Sequence, residues 1–351
     1  MWQNKRTIVV HAGIVLVMML AAGTGASTVG GSSGAYLRPS VGAAAMAMGS
    51  ANTALPDNLS PWWNPAAMAF HKQLGFVGGV GLRSLGRTDA FGSFECKIPP
   101  RLGLGLMILY RGDPFLNDLY DVNENPIEDA SYTTITGKIA FSYYINRKMS
   151  AGLNINIHYQ QIPTYIDGSD VGYSNCTNIG SVDLAWMYQI NKLWTIAAVI
   201  KDLGSTMTWS VDLNNENSAQ IEDRPLPSIT LGSKYQSKLM GKPLLWTFDV
   251  KGFLFDGDLK ALERPEGVLN TGLEWRNWEK FYLRAGIGDL LINGYLLDDR
   301  DSYFSNFPFR ITAGFSLDME RFHKGIKLNY GVSTDKLWAG LDQQLDIQWM
   351  F

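Results

Sequence analysis

The chain has 351 residues, only 18% of them charged, with a formal net charge of −3. Aromatic residues reach 12%, glycines number 36 and the mean hydropathy is −0.06, which excludes a disordered chain, since that needs low hydrophobicity with high net charge. No run of about 18 apolar residues follows the N-terminal one, which excludes a multi-span helical protein, and no basic block provides a nucleic-acid footprint; a soluble all-β protein and a transmembrane β-barrel remain.

In chain order, Lys5 and Arg6 precede an apolar stretch from Ile8 to Ala22, then small residues through Ala26. A positive start, a short apolar run and a small-residue exit predict a secretory signal peptide over residues 1–26, cleaved after Ala26. The alternative, a single-span anchor, needs a longer run to cross a bilayer core of about 30 Å. No Cys follows the apolar run to carry a lipid anchor. Cys96 and Cys176 are too few for a disulfide framework and are expected as free thiols at opposite ends of the fold.

Residues 27–73 are rich in Gly, Ala and Ser, show helical spacing over Val41–Met48, and end in Pro61-Trp62-Trp63-Asn64-Pro65-Ala66. A free tail is one reading. Given the barrel derived below, a plug folded into its lumen is the better one, because a barrel of that size leaves interior space for small residues and Met to fill.

From about residue 74 to the end, the pattern is alternation with period 2. In LDQQLDIQWMF, Leu345, Ile347, Trp349 and Phe351 share one face while Gln344, Asp346 and Gln348 share the other. In MSAGLNINIHY, Leu153, Ile155 and Ile157 oppose Asn154, Asn156 and His158. Such alternation means strands. Fourteen segments begin near residues 74, 89, 102, 132, 148, 177, 193, 228, 244, 267, 280, 308, 325 and 341, an even number that lets an antiparallel sheet close with both ends on one side.

The face assignment decides the class. The apolar faces carry aromatics near strand ends (Tyr110, Tyr143, Trp186, Trp246, Trp275, Trp349), as interfacial girdles do. The opposite faces carry Lys138, Asp183, Lys201, Asp249, Lys251, Glu274, Arg276, Arg284, Arg310, Lys327 and Asp346. Mid-strand charges in a packed soluble core are very costly; in an enclosed polar lumen they pair or hydrate. The expected fold is therefore all-β: an outer-membrane β-barrel of about 14 antiparallel strands over residues 74–351, with a small N-terminal plug in the lumen and lipid as its outer partner. Connections alternate accordingly. Long ones are expected over 112–131, 161–176, 204–227, 255–266 and 289–307, with short turns at Asn146-Arg147, Asn191-Lys192 and Asn277 to Glu279; residues 84–88 and 334–340 are short external exceptions.

The stretch GAYLRPSVGAAAMAMGSANTALPDNLSPWWNPAAMA resembles the N-terminal hatch of FadL-type outer-membrane proteins, especially their PorV/PorQ branch. The match is a Gly/Ala/Met stretch followed by Asn64-Pro65-Ala66, here preceded by Trp62 and Trp63. The strand count and the last two strands look alike too. The terminal aromatics resemble the signal that such barrels present to their insertion machinery, which the resemblance places on Trp349 and Phe351.

Nothing in the chain spells an enzyme. His71, His158 and His323 are dispersed with no metal-ligand spacing, Gly79-Val80-Gly81 lacks the rest of a dinucleotide fingerprint, and no GxSxG elbow occurs. No metal and no cofactor is expected. Two readings stand. The resemblance implies a type IX secretion-associated partner, whose external loops, such as residues 115–132, hold cargo or other secretion proteins. The alternative is a FadL-like channel for hydrophobic small molecules, with Met107, Leu109, Ala140, Met187, Ala197 and Val199 as an apolar lumen wall; the same wall is also able to pack against Met46 and Met48 of the hatch.

Overall fold

The computed structural model describes residues 34–57, 59–70, 74–113, 131–167, 170–213, 217–225, 227–253, 267–276, 278, 280–292, 309–319, 324–335 and 340–351. The expected signal peptide and most of the long connections at 112–131, 255–266 and 289–307 lie outside them.

Alternating sequence segments become strands in the order β1 (Gly75–Leu82), β2 (Thr88–Ile98), β3 (Leu102–Asp113), β4 (Tyr132–Asn146), β5 (Met149–Asp167), β6 (Asp170–Gln189), β7 (Trp194–Leu203), β8 (Met207–Leu213), β9 (Asn217–Asp223), β10 (Ser228–Leu239), β11 (Lys242–Phe253), β12 (Gly267–Trp275), β13 (Phe281–Ile292), β14 (Arg310–Asp318), β15 (Ile326–Thr334) and β16 (Leu341–Met350). All but β8 and β9 form one closed antiparallel ring of fourteen strands. β7 pairs with β10, and β1 pairs with β16 in the register Phe76↔Trp349 and Val80↔Leu345. Closure gives each ring strand a neighbour on both sides, so the backbone groups along the ladders are paired instead of lying at an open edge.

Two expected loops are built differently. Residues 161–176 continue the β5–β6 ladder outward, with Gln161↔Asn175 and Ile162↔Ser174 in register, so β6 starts at Asp170 rather than near 177. On this extension the buried residues Ser174 and Asn178 and the exposed residues Asn175 and Thr177 are all polar, so the apolar alternation that marks a strand fades while backbone pairing continues. The 204–227 connection holds the β8–β9 hairpin, and β8 pairs with β6 at Asn175 to Thr177. Between that short ladder and Val182↔Leu203 on β7, residues 178–181 of β6 pair with neither β7 nor β8.

The faces are inverted relative to a soluble barrel. On β16, Leu345 and Ile347 are 43% and 50% exposed, while Gln344 and Asp346 are 1% and 2% exposed. Phe76, Leu106, Ile108, Phe141, Ile311 and many others point outward in the same way. Only a hydrocarbon solvent makes such a surface favourable, at about 25 cal/mol per Å² of apolar area removed from water. No helix among the described residues is long and apolar enough to cross a membrane; the crossing is by strands.

Residues 34–70 fill the lumen. They form a 3-10 turn (Ala35–Leu37), a short helix α1 (Ala43–Ala47), a second short helix α2 (Ser60–Trp63) and a 3-10 segment (Pro65–Phe70). Helix α1 packs against β14, β15 and β16, and the Pro65–Phe70 segment against β3 to β6. The wall meets this backbone at glycines. A Cβ on Gly272 or Gly286 would collide with Met48 and Gly49, and one on Gly331 with the Ala43 carbonyl. Gly49 itself has φ +65 and lies against the carbonyls of Thr271 and Ile287. Short helices with no independent stability are thus held by the wall.

Candidate functional site

The Trp62–Ala66 motif sits at the centre of the lumen. Wall Glu95 accepts the Ser60 amide at the start of α2 through Oε1 at 2.8 Å, satisfying a helix-end donor that would otherwise be orphaned. Asn64 then turns the chain: its Nδ2 donates to Thr53 O at 2.8 Å, and its Oδ1 accepts from the Ala66 amide at 2.9 Å, which is the local bonding that suits Asn to turns. Pro65 opens the 3-10 segment, and Ala66 lies on Gly152, with Ser150 Oγ donating to its carbonyl at 2.7 Å. Trp62 is buried among cations. Lys138 Nζ, Lys201 Nζ and Arg111 Cζ stand 5.3, 5.5 and 5.8 Å from its ring centroid. Trp63 donates from Nε1 to Val41 O at 3.1 Å.

The charged wall residues fall into separate groups rather than one network. Lys138 Nζ binds Asp183 Oδ2 at 2.8 Å and Asn156 Oδ1 at 2.9 Å, and Asn154 and Asn156 also donate to Asp183. Lys201 donates to the Trp62 carbonyl. Glu274 bridges Arg284 at 2.6 Å and Arg276 at 2.7 Å; Arg276 lies just past β12 with its side chain 44% exposed. Lys327 stands 5.0 Å from the Tyr282 ring centroid. Arg310 binds Asp289 at 2.6 Å. Asp249 and Asp346 each grip the hatch backbone, through the Thr53 amide at 2.9 Å and the Ala43 amide at 2.6 Å.

A further group escaped the sequence reading. Asp89 accepts from Arg83 at 2.6 Å and Arg111 at 3.2 Å, and Arg83 reaches Asp342 at 3.0 Å. Both arginines also donate to hatch carbonyls, Arg111 to Pro39 O at 2.9 Å and Arg83 to Ser40 O. The signal was present: Asp89, Phe91, Ser93 and Glu95 share one face of β2, so period 2 already put the two carboxylates inward.

The apolar wall positions lie against the hatch. Met107 and Leu109 cluster with Val41, Leu59 and Trp62; Met187, Ala197 and Val199 cluster with Ala54, Ala66 and Ala67. Met48 meets the wall elsewhere, at Gly272. His158 is buried between hydroxyls, with Thr136 Oγ1 3.2 Å from Nδ1 and Ser181 Oγ 3.4 Å from Nε2. No group of three potential metal ligands occurs among the described residues, and both cysteines are free thiols. At the strand end, the Trp349 and Phe351 rings lie 4.1 Å apart between centroids, and the Phe351 amide donates to Leu74 O at 3.0 Å.

The hatch leaves a chamber at each end. The short turns after β2, β4, β6, β10, β12 and β14 mark the periplasmic end. On that side is a cavity of about 320 Å³. Its apolar lining includes Met48, Leu55, Leu59, Phe70, Val77 and Leu245, with Asp57 at the hatch surface. Burial pushes the Asp57 carboxyl up to about 6, against the opposing donors Asn52 and the Leu59 amide. On the external side, Trp62 and Trp63 floor a smaller chamber bounded by Leu37, Arg38, Lys201 and Lys251.

No protein-family model matches the sequence, and no curated protein matches it. Solved structures do match. The toluene transporter TbuX of Ralstonia pickettii superposes with TM-score 0.57 at 14% identity, covering 89% of this chain and 98% of its own. The toluene transporter TodX of Pseudomonas putida gives 0.53 at 14%, covering 88% and 96%. A FadL homologue of Pseudomonas aeruginosa gives 0.56 at 10%, covering 89% and 98%. At these identities the likeness is one of fold alone: a closed antiparallel outer-membrane β-barrel.

Proposed function

We propose that the protein is a hatch-gated channel passing hydrophobic small molecules across the outer membrane. The observation that carries this reading is the pair of chambers separated by the hatch, the periplasmic one lined by Met48, Leu55, Leu59, Phe70, Val77, Leu245 and Met350 together with polar and charged residues. A cleft of this size with an apolar part to its wall has room for a small ligand with an apolar body. Two of the structural neighbours are toluene transporters by name, which supports the same reading. Within it, residues 1–26 serve export, Trp349 and Phe351 serve membrane insertion, and residues 27–73 are the gate. The secretion-associated role implied by the PorV/PorQ resemblance gains no support from these neighbours, and the loop at 115–132 on which it leans lies mostly outside the described residues.

The test is uptake of labelled toluene into liposomes holding the purified protein. Entry well above that of protein-free liposomes is expected, with no matching rise for glucose. Equal toluene entry in the two preparations refutes the channel. Recovery of secreted cargo by crosslinking in cells, with toluene entry unchanged, turns the assignment to secretion.

A further inference from the structure

The two ends of the barrel differ in the sign of their charge. The periplasmic turn segments 97–101, 146–148, 190–193, 238–242, 276–280 and 319–325 contain eleven Lys and Arg residues against two acidic ones, Glu279 and Glu320. The long external connections run the other way. Residues 112–131 include six acidic residues and no basic one, and 204–227 include four acidic residues and one basic, Arg224. A chain of net charge −3 thus gathers positive charge at one end.

These cations are not consumed within the fold. Arg101 between β2 and β3, Arg147 and Lys148 between β4 and β5, Lys192 between β6 and β7, Lys242 at the start of β11 and Lys280 before β13 are all exposed. None meets a carboxylate among the described residues; Lys148 Nζ donates to Ile190 O at 3.4 Å. The carboxylates at the same level are occupied inside the barrel. Glu95 takes the Ser60 amide, Glu274 bridges Arg276 and Arg284, and Asp318 lies opposite Lys327 in the β14–β15 ladder.

The same rim carries exposed aromatic rings. Tyr143, Trp246, Trp278 and Phe351 are each about half exposed. Tyr143 sits across from Leu102, one residue from Arg101, and Trp278 lies two positions before Lys280. Two residues after Lys192, the Trp194 ring stands 4.7 Å from that of Tyr235. Such rings settle at the headgroup level of a bilayer, which brings the neighbouring cations, on their long stems, to the phosphates.

The partner follows from the distribution. The basic turns are spread around the ring rather than gathered on one side. A globular acidic protein engages one side of a rim, whereas a membrane plane meets all of it. A zwitterionic headgroup brings its own ammonium to its phosphate. An anionic one such as phosphatidylglycerol does not, and each Lys or Arg near an anionic surface favours it about fivefold. We infer that the periplasmic rim binds the anionic phospholipid headgroups of the inner leaflet, its turn lysines and arginines taking the phosphodiesters. This is independent of what the barrel transports.

The experiment uses the full-length protein in phosphatidylcholine bilayers with a trace of spin-labelled phosphatidylglycerol or phosphatidylcholine. Electron spin resonance reads the fraction of each label immobilised on the barrel. Phosphatidylglycerol is expected to associate at least about threefold more strongly at low salt, and the preference to fall toward equality in about 1 M salt, where the screening length is about 3 Å. Changing Arg101, Arg147, Lys148, Lys192, Lys242 and Lys280 together to Gln should abolish the preference. Glu222→Gln with Asp223→Asn, at the external end, should leave it intact. Both variants are first checked for the heat-modifiable gel mobility of a folded barrel. Equal association of the two lipids with the parent overturns the inference and leaves the basic rim to an acidic periplasmic protein. A preference that survives the six substitutions in a folded barrel also overturns it. Should that variant not fold, the salt series on the parent decides alone, and a preference indifferent to salt refutes the headgroup contact.

Discussion

Asp346 Oδ2 accepts a 2.6 Å hydrogen bond from the Ala43 amide, joining the closing strand of the barrel to the first residue of helix α1 across 303 positions of chain. The other carboxylate oxygen accepts from Asn329 Nδ2. A carboxylate at a helix N-terminus both satisfies an orphan donor and complements the local dipole. Asp346→Ala should therefore leave two buried donors bare, at about 1–3 kcal/mol each, while the ring, held by backbone ladders, stays closed. The expected result is faster proteolysis within residues 34–70 and a larger single-channel conductance; a hatch as protease-resistant as the parent's would contradict it.

Gly152 and Gly137 lie on opposite faces of the wall. A Cβ on Gly152 runs into the Pro65–Ala66 backbone, whereas one on Gly137 has only Ile157 nearby, at 3.9 Å. Gly152→Val should unseat the hatch or strain the wall by about 1–3 kcal/mol, and Gly137→Val should be close to silent. Melting midpoints of the two variants, followed by heat-modifiable mobility, check the contrast.

Asp183 is fully buried and collects Lys138, Asn154, Asn156 and the Asp202 amide. Removing one partner of such a pair costs about 3–5 kcal/mol, because the other charge stays buried alone. Asp183→Leu should lower the urea midpoint in detergent sharply, and adding Lys138→Met should restore part of the loss. No recovery in the double variant would mean that the ion pair is not what the single variant breaks.

The Asp57 carboxyl, raised to about 6 by burial, sets a pH dependence whose sign is opposite to that of a salt-bridged acid. Between about pH 4 and pH 6 the seated hatch holds a proton that the released hatch has lost. Acidification through that window should strengthen seating, and raising the pH through 6 should weaken it. Hatch proteolysis at pH 5 and pH 7 measures this, and Asp57→Asn should shrink the difference; an unchanged difference would assign it to other groups.

The barrel was legible because its solvent contrast is written in every strand. Lipid outside and charge inside impose period 2 on β16 as on β5, and thirteen of the fourteen ring strands begin within two residues of the position read from that period. The extensions of β5 and β6 were not legible, since polar residues stand on both faces there: Asn175 and Thr177 are exposed while Ser174 and Asn178 are buried. For the site, alternation identified inward residues such as Lys138 and Asp183 one by one. Which of them meet across the lumen depends on ring closure and on where the hatch lies, so pairs such as Asp249 with Thr53 or Glu95 with Ser60 leave no trace in spacing. The hatch is the harder case: its Ala and Gly residues are chosen by contact with wall glycines such as Gly152 and Gly331, a match between distant segments that no local window contains.

The β1–β16 seam gives the stopper a place in assembly. Residues 34–70 precede the whole ring in synthesis, while the strand bearing Asp346 comes last and completes the circle by pairing with Gly75–Leu82. A ring that shuts before its stopper is in place encloses Asp346, Asp249 and Glu95 without the amides they hold, so the final act of barrel formation is cheapest when the lumen is already occupied. The contact between the two ends of the sequence thereby couples insertion to filling, and a porous, half-built cylinder is the disfavoured product.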